Sequence, residues 1–139
     1  MDPGFFDAYL EAWSAHDVDA VLDKFADDCV FEDVPLGSVA RGKPELAQLA
    51  EQMFAGSPDI QFNGERGVVI GADGRYAGEW TMTGTHDGDF PGLPATHKRF
   101  SVRGVSIGEL EGTKIRRNCD YWNLAEFLTQ VGLMPPPAA

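Results

Sequence analysis

Asp120 is the residue whose setting most invites chemistry. It stands in Lys114-Ile-Arg-Arg-Asn-Cys-Asp-Tyr-Trp-Asn123, a segment that otherwise reads as a buried strand. Strand side chains alternate between faces, so Asn118, Asp120 and Trp122 share one side, while Cys119 and Tyr121 share the other. An unpaired carboxylate inside a sheet is costly, and it either neutralises through a raised pKa or finds a partner. Sites that move protons tolerate that cost. A structural Asp, bonded to a neighbour or placed at a wet strand end, accounts for the same pattern.

Two further residues could join it. Asp33 ends the run Cys29-Val-Phe-Glu-Asp33, where it could bind substrate, pair with Asp120 so that one carboxyl is pushed up, or cap the turn before Val34-Pro35. His86 closes a long strand just ahead of a Gly/Pro loop, as a donor to a developing oxyanion or as a structural hinge residue. Trp13, Trp80, Trp122 and Phe31 offer flat apolar walls suited to an aromatic or polycyclic ligand, although aromatics on such faces also serve as plain core. The three histidines, His16, His86 and His97, show no metal-ligand spacing, so no metal site is expected. Cys29 and Cys119 form no paired-thiol motif and read as reduced packing residues of a cytoplasmic protein. The loop Asp87-Gly-Asp-Phe-Pro-Gly-Leu-Pro94 lacks the glycine spacing of a phosphate cradle and reads as a pocket rim or lid.

The elements that must position these groups follow from periodicity. Asp2-Pro3 opens a helix whose Phe5, Phe6, Tyr9, Leu10 and Trp13 form one apolar face. A short helix from about Asp17 is expected to carry Val18, Val21, Leu22 and Phe25 and to end at Asp27-Asp28. Residues 29–33 form a short strand closed by Pro35 and Gly37, and a third helix runs from about Pro44 to Gly56 on a stripe of Leu46, Leu49, Ala50, Met53 and Phe54. Strands are then expected over 60–70, 75–86, 99–110 and 114–122, with a hairpin turn at Asp73-Gly74. A last helix over 124–131 precedes a tail, 134–139, that reads as frayed. Helices first and antiparallel strands afterwards make a single α+β domain over 1–139, with helices against one face of a curved sheet.

Bulk composition narrows the partners. With 139 residues the chain can bury a real core. Eleven basic against twenty-two acidic residues give a formal net charge of -11, which repels phosphate backbones and argues against nucleic acid. No apolar run approaches the roughly 20 residues of a membrane span, and Met1-Asp2-Pro3 lacks a basic leader start, so no membrane partner is expected.

Three segments carry a family resemblance. They are Ala12-Trp-Ser-Ala-His16-Asp17 with Phe25-Ala-Asp-Asp28, then Gly84-Thr-His86 through Pro94, and Lys114-Ile115 through Asp120-Tyr-Trp122. Together they resemble the SnoaL-like polyketide cyclase (ester cyclase) family within the nuclear-transport-factor-2-like superfamily. That resemblance implies a cone: a curved, mostly antiparallel sheet wrapped around N-terminal helices, with a central pocket. It places Asp120 as general acid/base in an intramolecular aldol closure without metal or cofactor, Asp33 near a polar pocket position, and His86 on a His common in the family. It also implies a homodimer, for which the outward Val105, Ile107 and Tyr121 would need cover.

Two departures accompany the match. The Arg and second Asp of the related limonene-epoxide hydrolases, around Glu79 and Thr81, are missing. So are the Gln and His that the cyclases place at Gly104 and Ser106. The expected activity is acid/base aldol cyclisation or isomerisation of a carbonyl-containing, polyketide-like substrate that is apolar or polycyclic. A hydrolase or dehydratase using the same Asp, and a non-catalytic ligand-binding module, are the alternatives.

Overall fold

A computed structural model describes residues 2–135. The elements are α1 (Gly4–Ser14), α2 (Val18–Asp23), β1 (Phe25–Asp33), β2 (Ser38–Arg41), α3 (Gly42–Gly56), β3 (Gln61–Ile70), β4 (Arg75–Thr85), β5 (Arg99–Glu111), β6 (Lys114–Trp122) and α4 (Leu124–Gln130). The tail expected at 134–139 lies largely outside the described residues.

The six strands form one sheet in the order β2-β1-β6-β5-β4-β3, so its edges, β2 and β3, do not meet. Only the β1–β6 pair is parallel; the other four pairs are antiparallel. This is the expected α+β cone, a curved open sheet with helices on its inner side. Register shifts in β1–β6, β3–β4 and β5–β6 mark the bulges. Such irregularities raise local twist and bend a sheet.

Sequence explains how the helices dock. Asp2 Oδ1 accepts from Gly4 N at 2.9 Å, which starts α1. That helix then buries Phe6, Tyr9, Leu10 and Trp13, with Phe5 half-buried beside them. Phe6 lies over Gly78 of β4, where a Cβ would collide with the ring. Asp17 caps α2 by accepting from Ala20 N at 3.0 Å. From α3, Leu46 and Ala50 are buried to the core, with Leu49, Met53 and Phe54 packed alongside. Fully burying one such aliphatic side chain is worth about 1.5–3 kcal/mol, so these stripes hold the helices to the sheet.

Two expectations are corrected here. Phe25 does not continue α2. That helix ends at Asp23, and Phe25 opens β1, opposite Ile115 of β6. Asp27 and Asp28 therefore sit exposed within β1 instead of terminating a helix. Ile115 N donates to Lys24 O at 2.8 Å, so strand pairing overrides the local helical spacing. The second correction is β2, read as part of a turn. The chain reverses through Gly37, φ 69°, and returns along β1 for four residues. A strand that short carries little periodicity.

Candidate active site

Asp120 sits on β6, directly opposite Ser106 of β5 and Asp33 of β1. Ser106 Oγ donates to its Oδ1 at 2.6 Å, and Asn118 Nδ2 donates to the same oxygen at 2.8 Å. Both donors are fixed from behind. Trp80 Nε1 donates to Ser106 Oγ at 2.8 Å, and Tyr76 Oη donates to Asn118 Oδ1 at 2.6 Å. Four residues on three strands thus orient one carboxylate oxygen. The other, Oδ2, has no hydrogen-bond partner among the described residues.

Burial decides the protonation chemistry. Asp120 is half-buried: Oδ1 is held by its donors, while the unpartnered Oδ2 stays accessible where the residue lines the cavity. Desolvation raises its pKa most; the Ser106 and Asn118 hydrogen bonds pull it down, and the Asp33 charge adds a smaller upward push. The balance lies at about 7. No ion pair among the described residues involves Asp120. A carboxyl group so placed can both accept and return a proton near neutral pH.

Around it the cavity is apolar. Tyr9, Leu10 and Trp13 of α1, Phe31 of β1, Met53 of α3, Phe62 of β3 and Trp80 of β4 line it with Ser106 and Asp120. Trp13, Trp80 and Phe31 are therefore where a ligand wall was expected. The space is small, about 10 Å³ for the centre of a water molecule, near the least that holds one water.

A second chamber lies beside the first. Asp33, Leu36, Ile60, Met82, Phe90, Leu93, Phe100, Trp122 and Phe127 enclose it, and Met53 lines both chambers. It offers about 30 Å³ on the same measure. Sites for drug-sized ligands run to about 300–1,000 Å³. The roomy central pocket expected for a polycyclic ligand is thus not open in this conformation. Larger spaces lie away from Asp120: a groove of about 520 Å³ that includes Glu65, Arg66, Arg103 and Tyr121, and another of about 340 Å³ along α4, neither of which touches either carboxylate.

Of the three roles open to Asp33, the structure shows the turn cap. Asp33 accepts from Leu36 N at 3.2 Å and also faces inward. Trp122 Nε1 donates to its Oδ1 at 3.1 Å and approaches Oδ2 at 3.3 Å. Burial raises its pKa, against the pull of the Leu36 and Trp122 donors. No hydrogen bond joins it to Asp120; the coupling between them is through charge alone.

His86 is not brought to either carboxylate. Its ring is fully buried, stacked on Phe90 at 5.2 Å, and lines neither chamber. Nε2 lies 3.2 Å from Leu93 O, and Nδ1 lies 3.1 Å from Thr96 Oγ1. A carbonyl can only accept, so Nε2 donates to Leu93 O, while Nδ1 is bonded to the Thr96 hydroxyl, which can serve as donor or acceptor. With both nitrogens engaged, the ring ties down the 87–97 loop and has no atom left for a substrate. The loop folds back onto it, which strand periodicity could not reveal.

Residues to which the sequence alone assigns no catalytic role complete the site. Tyr76, Asn118 and Ser106 are all buried and form the network behind Asp120. Gly104 has no room for a Cβ because the Trp80 ring fills that space. The Gly104-Ser106 pair therefore does not leave a hole where the cyclases carry Gln and His. Trp80 occupies the volume, and its indole N–H holds Ser106 on Asp120. Tyr9 was visible only as one member of an apolar stripe; a hydroxyl on such a face was the available signal.

The chain is an open-sheet α+β cone with Asp120 lining a cavity on its inner face. A model of the SnoaL-like polyketide cyclase family matches residues 5–131, and the chain belongs to that family. A candidate polyketide cyclase from Pseudomonas putida superposes with a TM-score of 0.81 at 27% identity, covering 94% of this chain and 98% of that one. A second, from Xanthomonas campestris, gives 0.80 at 27% identity over 92% and 94% of the two chains. A protein of ketosteroid isomerase-like fold from Catenulispora acidiphila gives 0.82 at 20% identity over 95% of each, a likeness of fold alone. No curated protein matches the chain. Among the described residues, no helix is long and apolar enough to cross a membrane, and no three His, Cys, Asp or Glu side chains cluster as metal ligands.

Proposed function

We propose that this protein is a cofactor-independent enzyme in which Asp120 moves a proton at a carbon next to a carbonyl, in aldol cyclisation or isomerisation of a polyketide-like substrate. One observation carries the reading: Asp120 Oδ1 is held by two donors while Oδ2 is unengaged, in an aromatic-lined cavity with no cation paired to it. In the forward step the C–H bond breaks, its proton passes to Asp120, and the electron pair becomes an enolate. The enolate then attacks a second carbonyl or is reprotonated elsewhere, and Asp120 gives its proton back. Family membership and the 27%-identical candidate cyclases support the reaction class.

The narrow interior adds a condition. Met53 and Leu10 must give way for a polycyclic substrate to reach Asp120; methionine is the residue best able to repack. Full turnover by Asp120→Asn and Asp120→Ala on an identified substrate would sink this mechanism. One rival has its own support, since space of this size suits a water-sized nucleophile activated by the same carboxylate. Oxygen from labelled solvent appearing in the product would select hydrolysis or hydration over cyclisation. The homodimer expected from the family belongs to the same proposal: Ile107 and Tyr121 stand exposed on the outer face of the sheet. A stable monomer at micromolar concentration, by light scattering, would remove it.

A further inference from the structure

Every buried side-chain polar atom among the described residues has a partner except one, the Tyr9 hydroxyl. Tyr9 is 2% exposed, and its ring is clamped between neighbours: Phe6 at 5.9 Å, Phe25 at 5.8 Å and Trp13 at 6.4 Å between centroids. Helix α1 thus fixes the ring, and the hydroxyl cannot swing out to solvent. A buried donor left without an acceptor costs free energy, and such a group in a native protein calls for an explanation. The contrast with Tyr76 is direct. That phenol, equally buried, hydrogen-bonds Asn118 at 2.6 Å and so supports Asp120 from behind. Tyr9 lines the same cavity as Asp120 and feels its charge.

We propose that the Tyr9 hydroxyl is the donor that receives the carbonyl oxygen of the substrate in the Asp120 cavity. The inference rests on the reading of Asp120 as the proton acceptor and names the substrate group that faces it: an enolisable ketone with an apolar flank. As Asp120 takes the proton from carbon, negative charge collects on the carbonyl oxygen, and the phenol O–H holds it by hydrogen bond. Nothing is oxidised or reduced, and the phenol keeps its own proton. Burial first, and then the Asp120 charge, raise the Tyr9 pKa, so the group stays a neutral donor throughout. The Trp13 indole pulls weakly the other way without a well-formed hydrogen bond, and even as a donor it would leave the Tyr9 O–H free. A fixed donor aimed at developing charge is the arrangement that stabilises an enolate most.

Tyr9→Phe removes one oxygen and leaves the aromatic packing in place. Exchange of α-hydrogen for deuterium in cyclopentanone, followed by NMR across pH 5–9, reads the chemistry without knowing the native substrate. Exchange is expected to fall by roughly 10- to 1,000-fold, with its pH midpoint still near that of the wild type. Equal rates in the two proteins would overturn the proposal. A second measurement does not depend on Asp120 as a base. In an Asp120→Asn background, 4-nitrophenolate stands in for the enolate, and its absorption band is expected to shift on binding. Adding Tyr9→Phe should weaken that binding about 10- to 100-fold and abolish the shift. Unchanged binding, or none in either variant, overturns the role of Tyr9. Exchange that survives Asp120→Asn, with phenolate binding still dependent on Tyr9, would sink the proposed base and leave the donor standing. Finally, Tyr9→Phe should not lower the thermal midpoint; a clear drop would mean that the hydroxyl has a protein partner after all.

Discussion

The two buried carboxylates make an instructive pair. Asp33 and Asp120 lie opposite each other on the parallel strands β1 and β6, and each receives help from an indole. Asp33 is 4% exposed, accepts the Leu36 amide on Oδ1 and shares the single Trp122 N–H between Oδ1 and Oδ2, so a donor reaches each oxygen. Asp120 has its donors gathered on one oxygen and keeps the other for the cavity. Burial raises the pKa of both. What separates them is acceptor capacity. A carboxylate with a protein donor reaching each oxygen is tied into its turn, whereas one with an oxygen in reserve can take a proton from something else.

Replacing each by its amide breaks the comparison most sharply. Asp120→Asn keeps an acceptor for Ser106 and Asn118 but cannot take a proton, so turnover should fall by about 10²- to 10⁴-fold. Asp33→Asn should cost under about tenfold in turnover, because no reacting group meets it, and the assay on one identified substrate decides. Equal losses would put both carboxylates in the chemistry, as a coupled pair.

Stability against pH sharpens the same contrast. The folded pKa of Asp120, about 7, lies above the ordinary carboxylate value in the unfolded chain. The native state therefore holds that proton more tightly, and stability is lost as pH rises from about 4 to about 7. Above that range the cost of the buried charge is fully present. Asp120→Asn should remove it, raising stability by on the order of 2–4 kcal/mol at pH 8 and by little at pH 4. Urea unfolding at the two pH values measures the difference; equal effects at both would mean an unstrained carboxylate.

Much of this arrangement was legible before any coordinates, and the reasons are physical. Strand alternation is strict, so Asn118, Asp120 and Trp122 fell on one face by counting alone, and the inward face of β6 carries them. Helical stripes gave α1 and α3 for the same reason. What escaped were features set by contacts distant in sequence. Phe25 follows Ile115, 90 positions away, into a strand. The nitrogens of His86 are claimed by Leu93 and Thr96 only once the loop has folded back. Gly104 and Ser106 read as lost helpers until Trp80, from β4, is seen filling the one and bonding the other. Tyr9 and Tyr76 share a type and a depth of burial, and only tertiary structure tells a spent hydroxyl from a spare one.

Met53 offers a way to dissolve the comparison. Its half-buried side chain is the wall shared by the two chambers, so Met53→Ala should merge them. Removing it should destabilise the fold by about 1–3 kcal/mol, less than truncation at a fully buried site. Binding of an apolar aromatic ligand should tighten in the variant, by calorimetry. Unchanged binding would show that the partition is not what limits entry.

The smallest effect tests Asp33 as a structural group. Trp122→Phe keeps an aromatic ring beside Phe127, packed against it at 5.8 Å, but deletes the N–H that Asp33 uses. A donor to an ionised carboxylate favours the charged form, so its loss should push the Asp33 pKa further up. The sign of the stability change follows. With the folded pKa raised, the native state loses stability as pH rises through the carboxylate range, and the loss is complete above the folded pKa. Trp122→Phe should therefore cost about 1–2 kcal/mol at pH 8, in line with a hydrogen bond to a charged group, and clearly less at pH 4. The pH midpoint of proton exchange should stay where Asp120 sets it, because the indole that steadies Asp120 is Trp80. A midpoint that moved with Trp122 would mean that the two carboxylates titrate as one unit, and the division between fold and chemistry drawn between them would be lost.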